Sequence, residues 1–252
     1  GQRAPGEGKI TALAVHLTMP TPNKQYDCKC PNGVLYMTSA STFDYAYINE
    51  PIEKVHKLYH DIEDKQALLG KETLLHIAAK WADAEAIKYL LEQGVRPVPS
   101  EGMENTPLHA LAGANKRYQQ YIIADGTIAQ CTELLLDAKT SWMRKNADGA
   151  TCLHFAAREG HYEMFEVIHK RGHKLDMTDM SGNTAMHIAC QYISSPIRSM
   201  PNRQARYEAA LKALQENPNP SEYDQRRFKD DEWQYQTGLR EIDGYFKCVE
   251  IM

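Results

Sequence analysis

Apolar and polar positions recur in one fixed order four times along the chain. Thr73-Leu74-Leu75-His76-Ile77-Ala78-Ala79, Thr106-Pro107-Leu108-His109-Ala110-Leu111-Ala112, Thr151-Cys152-Leu153-His154-Phe155-Ala156-Ala157 and Thr184-Ala185-Met186-His187-Ile188-Ala189-Cys190 share a threonine, an apolar third position, a histidine and a small or apolar pair. The threonines stand 33, 45 and 33 residues apart, so the middle interval is one period with 12 residues inserted. A second apolar run follows each motif. It is clearest in the third unit, where Gly160-His161-Tyr162-Glu163 leads into Met164-Phe165-Glu166-Val167-Ile168 and Gly172 closes the run. The pattern predicts helix pairs, each burying its apolar face against its neighbours. Gly94 marks the same helix stop in the first unit, where a residue without Cβ takes the left-handed conformation easily. In the second unit that stop falls on Lys139, which predicts a different or strained turn.

Upstream, Thr42-Phe43-Asp44-Tyr45-Ala46 and Ile52 to Tyr59 repeat the helix-pair pattern, with Ala46 placed 33 residues before Ala79. Phe43 replaces the histidine and Asn49-Glu50-Pro51 breaks the helices, as expected of a degenerate N-terminal cap. Residues 10–39 differ. Ile10 to Leu17 and Val34-Leu35-Tyr36-Met37 are β-prone runs around Pro31-Asn32-Gly33, predicting a short strand or hairpin.

The 33-residue period and the Thr-Pro-Leu-His-x-Ala core resemble the ankyrin repeat. The resemblance implies a mostly α fold, an ankyrin-repeat solenoid of helix-turn-helix units with β-turn fingers, plus the short N-terminal β element. Its expected organisation is an extension over 1–39 and an array over 40–252. The array divides into a cap at 40–69 and repeats starting near 70, 103, 148 and 181, with insertions near 113–128 and 193–241. In the family, threonine caps the first helix and the histidine bonds backbone in neighbouring turns. Thr73, His76, Thr106, His109, Thr151, His154, Thr184 and His187 are therefore expected to be structural. Only Pro107 keeps the family's proline.

Two regions depart from the family. The second unit carries its extra residues between Gly113 and Ile128, including Lys116 to Tyr121. After the fourth motif come Ser194-Ser195-Pro196, a helical stretch from Gln204 to Glu216, the breaker Asn217 to Pro220, and a charged run from Asp224 to Trp233. Asp243-Gly244-Tyr245-Phe246-Lys247-Cys248 matches Asp125 to Cys131 with one residue fewer, which favours a deferred second helix at the chain's end. Tyr207 to Leu214 is the rival for that role.

Charge and composition narrow the function. A formal net charge of -4 gives no global attraction to phosphate backbones, and the acidic residues around Arg226 to Trp233 cancel most of its basic charge. No nucleic-acid partner is expected. No apolar run is long enough to span a bilayer. The start at Gly1-Gln2, without an initiator methionine, fits a processed chain whose targeting segment has been removed, and it leaves the compartment open with the cytoplasm ahead. The six cysteines are scattered apart from Cys28-x-Cys30, a pair too sparse for a zinc site. His56 and His60 lie one helical turn apart but lack a third ligand, and His161 falls on a family position of its own. Phosphate loops, nucleophile elbows and His-Glu-x-x-His are absent from the sequence, so neither a catalytic residue, nor a metal, nor a cofactor is expected.

Three functions remain: a scaffold recognising another protein as a monomer, the recognition part of a larger protein, or an enzyme with its site in the insertions. The first is expected, because every recognisable motif builds a shaped surface. The resemblance implies that this surface is concave, made by the fingers and the exposed side of each first helix. Carried onto this chain, it comprises Lys80, Trp81, Met103, Lys145, Arg158, Glu159, Met180, Ser181, Gln191 and Tyr192, with Ser100 and Gly102 as the other positions of the first finger. Trp81, Met103, Met180 and Tyr192 are expected to form an apolar stripe flanked by Lys80, Lys145 and Arg158. For Trp81 the competing reading is packing against the cap.

Overall fold

The computed structural model describes residues 40–66, 68–114, 126–217 and 219–252. Helices α1 (Ala40–Asn49) and α2 (Ile52–Asp61) open the array. Strands β1 (Leu68–Leu69) and β2 (Glu72–Thr73) form a two-stranded antiparallel pair at the entrance to the first repeat. The β element expected within residues 10–39 lies outside the described residues.

Three complete helix pairs follow: α3 (Leu74–Lys80) with α4 (Ala84–Glu92), α5 (Pro107–Ala112) with α6 (Thr127–Asp137), and α7 (Cys152–Glu159) with α8 (Tyr162–Lys170). First helices stack in the order α3, α5, α7 and second helices in the order α2, α4, α6, α8. The core lies between the two rows, with Leu75, Ile77, Leu90, Leu111, Ile128 and Phe165 fully buried. Most of the interval 113–128 lies outside the described residues.

Each motif threonine and histidine forms one local unit. In the first, the Thr73 N–H donates to His76 Nδ1 (3.2 Å), and Nε2 lies 2.7 Å from the Asn105 carbonyl of the next finger. His109 reaches Ala150 O at 3.1 Å and His154 reaches Asn183 O at 3.0 Å in the same way. Because Nδ1 accepts a backbone proton, Nε2 carries the hydrogen and donates it across the repeat boundary. The histidine therefore ties the start of its own helix to the following unit.

Lys139 adopts φ 62° where Gly94 has 80° and Gly172 has 78°, so the second repeat keeps the same turn. A lysine holds it in the left-handed region, at a cost of about 1 kcal/mol. His56 pairs with Asp83 (2.9 Å), whose other carboxylate oxygen caps α4 at the Ala86 N–H (2.9 Å). The Tyr47 hydroxyl donates to the same Asp83, which joins the cap helices to the first repeat.

After the fourth motif the chain forms α9 (Ala185–Tyr192) and then two long helices, α10 (Ser194–Glu216) and α11 (Glu222–Ile251). Helix α10 starts ten residues before the stretch expected from Gln204 and passes through Pro201. It pairs with α11 as an antiparallel hairpin. Asp231 on α11 is buried against Arg206 of α10, and Arg203 bonds Glu241 (3.4 Å). The last turns of α11 leave the hairpin and pack on α8 and α9, taking the place beside α8 that α8 takes beside α6. Tyr207, by contrast, stacks on Tyr235 inside the hairpin (5.2 Å).

Candidate functional site

The fingers form a continuous row joined by hydrogen bonds to main-chain carbonyls. The Glu101 N–H donates to Lys71 O (3.0 Å), and the Ala147 N–H donates to Met103 O (2.9 Å). Lys145 Nζ donates to Thr178 O (2.6 Å), which links the second finger to the third. Within fingers, Asn146 Oδ1 accepts from Asp148 and Ala150, and Asp179 Oδ1 accepts from Ser181 and Asn183. The hydrogen bond from the Asn183 backbone is the chief reason that the Asp179 carboxyl titrates below its ordinary range. A Cβ on Gly149 would overlap Met180, so glycine lets the third finger lie against the second.

This backbone frame holds apolar side chains in solvent. Met180 is 76% exposed and Met103 45%, while Ser181 and Lys145 are exposed beside them. Met143, 53% exposed, extends the apolar character of the second finger. The motif arithmetic missed it, because Met143 precedes the carried-over finger positions. Its signal was an apolar residue directly before Arg144-Lys145.

Gln191 and Tyr192 are exposed at the end of α9. Arg158 and Glu159 are half-buried at the end of α7, where Arg158 Nε contacts Glu159 (3.0 Å) and the guanidinium lies over Phe155 (4.9 Å). Helix α11 borders them directly, since the Tyr245 hydroxyl donates to Arg158 O.

Two positions correct the expected surface. Ser100 is buried, its Oγ accepting from the Asn105 N–H (3.1 Å), so it builds the first finger from within. Trp81 is half-buried and has a folding role: Nε1 donates to Asp44 (2.9 Å) and the ring stacks on Tyr47 (4.9 Å). Lys80 grips both oxygens of the same Asp44 at 2.9 Å. Packing against the cap, not solvent, sets the position of Trp81. Replacing Trp81 by alanine is expected to cost about 2 kcal/mol, less than full burial of an aromatic would imply. Urea unfolding checks this, and an unchanged midpoint would place the ring outside the folded core.

Among the described residues there is no group of three or more His, Cys, Asp or Glu able to hold a metal. His60 lies tilted against the Tyr89 ring (centroids 4.0 Å apart) while His56 pairs with Asp83, which gives each a structural contact. His161 is buried and bonds Ala114 O (2.8 Å). Burial pushes the Cys131 and Cys152 thiols up to about 12, well away from thiolate chemistry at neutral pH. No described helix is long and apolar enough to cross a membrane.

Residues 120–198 match the family model of ankyrin repeats (3 copies), and residues 70–97 match that of the ankyrin repeat. Human SH3 and multiple ankyrin repeat domains protein 2 is 33% identical over 120 residues, covering 48% of this chain and 6% of that protein. Human Rabankyrin-5 is 28% identical over 142 residues, 55% of this chain and 12% of its own length. Cyclin-dependent kinase 4 inhibitor B of Rattus norvegicus is 26% identical over 123 residues, 48% of this chain and 83% of the inhibitor. The chain thus spans only a small part of the first two relatives.

Proposed function

The chain belongs to the ankyrin-repeat family, and on that premise we propose that it is a non-catalytic scaffold that acts as a monomer and binds a protein on its finger row and adjoining first-helix ends. Ankyrin repeats are protein-interaction modules in general. The observation that carries the proposal is the finger row itself, in which a hydrogen-bonded backbone holds Met103 and Met180 in solvent. The finger backbone is already ordered, so binding has to fix only side chains, and methionine adapts its shape to a partner. Lys145 and Ser181 supply a polar rim. Gln191, Tyr192, Arg158 and Glu159 extend the surface toward the ends of α7 and α9, while Lys80 and Trp81 bound it at the cap.

The double substitution Met103→Ala and Met180→Ala is expected to weaken a captured and purified partner by at least about tenfold, measured by titration calorimetry. Stability should stay within about 1 kcal/mol of the parent, because both side chains are exposed and neither belongs to the buried core. Undiminished affinity would move the interface elsewhere.

A further inference from the structure

The far end of the array carries internal-repeat chemistry on a face that none of the described residues covers. His187 has the same local geometry as its three counterparts: the Thr184 N–H donates to Nδ1 (3.2 Å) and the Thr184 hydroxyl lies 2.8 Å from it. In the other repeats Nε2 meets the carbonyl of Asn105, Ala150 or Asn183 from the next finger. His187 Nε2 has no such acceptor among the described residues, and the side chain is exposed.

The apolar residues around it follow the same rule. Leu153 and Ala157 of the third repeat are 1% and 0% exposed beneath the fourth. Their counterparts Met186 and Cys190 are exposed, Met186 to 38%. Cys248 is buried as Cys131 is. Counting from that pair, Met252 stands where fully buried Leu135 stands, yet Met252 is only half-buried. A pocket of about 570 Å³ opens there, lined by His169, Gly172, Leu175, Met186, Ile251 and Met252. A terminal cap would replace such residues with polar ones.

We propose that this end face is a stacking interface for one more ankyrin-type unit, encoded directly after Met252. Its first residues complete the last turn of α11 in the pocket. Its finger presents a main-chain carbonyl to His187 Nε2, and its first helix covers Met186 and Cys190. The face continues three interfaces of identical chemistry within the same molecule, which is what selects this occupant. The finger row proposed to bind a partner is a separate surface.

The test is to read the gene past Met252 and to express the chain extended by what it encodes there over about one repeat length. The extended chain is expected to melt on the order of 5 °C higher, because each repeat interface adds a stabilising term. The His187 Nε2–H should exchange with solvent as slowly, by NMR, as those of His76, His109 and His154. His187→Ala should lower the melting temperature of the extended chain clearly more than that of the 252-residue chain. A stop codon after Met252, an extension that leaves melting and the His187 Nε2–H exchange unchanged, or a concentration-dependent dimer of the 252-residue chain that protects that proton would each overturn the proposal. The last would assign the face to a second copy. None of these outcomes bears on the Met103 and Met180 titration.

Discussion

Replacing Gly244 by alanine is expected to destabilise the chain by about 2–3 kcal/mol, although alanine is the better helix former by about 1 kcal/mol. Gly244 lies in the interior of α11, where the usual effect of the change is a gain. Here a Cβ would overlap the carbonyl oxygen of Gly160, at the turn between α7 and α8. Backbone stands on both sides of that contact, so no side chain can swing away to make room. Gly238 provides the internal contrast: its added Cβ would meet Arg203 and Met200, whose flexible ends can move. Gly238→Ala is therefore expected to be nearly neutral. Urea unfolding of both variants, with hydrogen exchange over residues 244–252, measures the difference. Equal stability of the two variants would mean that α11 does not dock at the Gly160 turn in solution.

Acid is expected to weaken the array in a window set by its buried histidines. Burial is the chief cause that pushes His109 down to about 4, and it lowers His76 in the same direction. In the unfolded chain a histidine titrates near 6.5. Between these values the unfolded chain binds a proton that the folded chain refuses. The histidine's contribution to stability is therefore complete above about pH 6.5 and is lost as pH falls toward 4. For His109 the loss is on the order of 3 kcal/mol. The geometry gives the reason, since Nδ1 accepts from the Thr106 N–H (3.1 Å) and a proton placed there would face that hydrogen. His109→Gln should be less stable at pH 7, and the gap to the parent should close as pH is lowered to 4.5. Parallel unfolding profiles for the two proteins across that range would rule the mechanism out.

The repeated units were legible because their chemistry is local. A threonine, a histidine three residues on and a glycine at the helix stop each answer to neighbours within a few positions, so period and spacing suffice to find them. His76, His109 and His154 each bond a main-chain carbonyl of the next finger. What escaped the sequence depends on long-range contacts. For Trp81 the sequence leaves exposure and packing on the cap both open, and only the contacts to Asp44 and Tyr47, more than 30 residues earlier, decide between them. Ser100 looks like a finger tip until the loop folds back on Asn105. The hairpin was read only in part, because Pro196 and Pro201 suggest a break and the mixed charge of residues 224–233 suggests solvent. Asp231, in the middle of that run, is buried against Arg206. Residues 243–248, whose sequence is like that of residues 125–131, lie in the part of α11 that packs on α8, while the route by which the chain reaches α8 has no local signature.

Helix α11 begins as half of a hairpin and ends as part of the array, without a break from Glu222 to Ile251. Some 22 residues separate its start from Gly244, about 33 Å at the rise of an α-helix. One unbroken stretch of backbone therefore joins the hairpin tip near Tyr223 to the last stacked layer, so the register of the hairpin and the seating of that layer are fixed together.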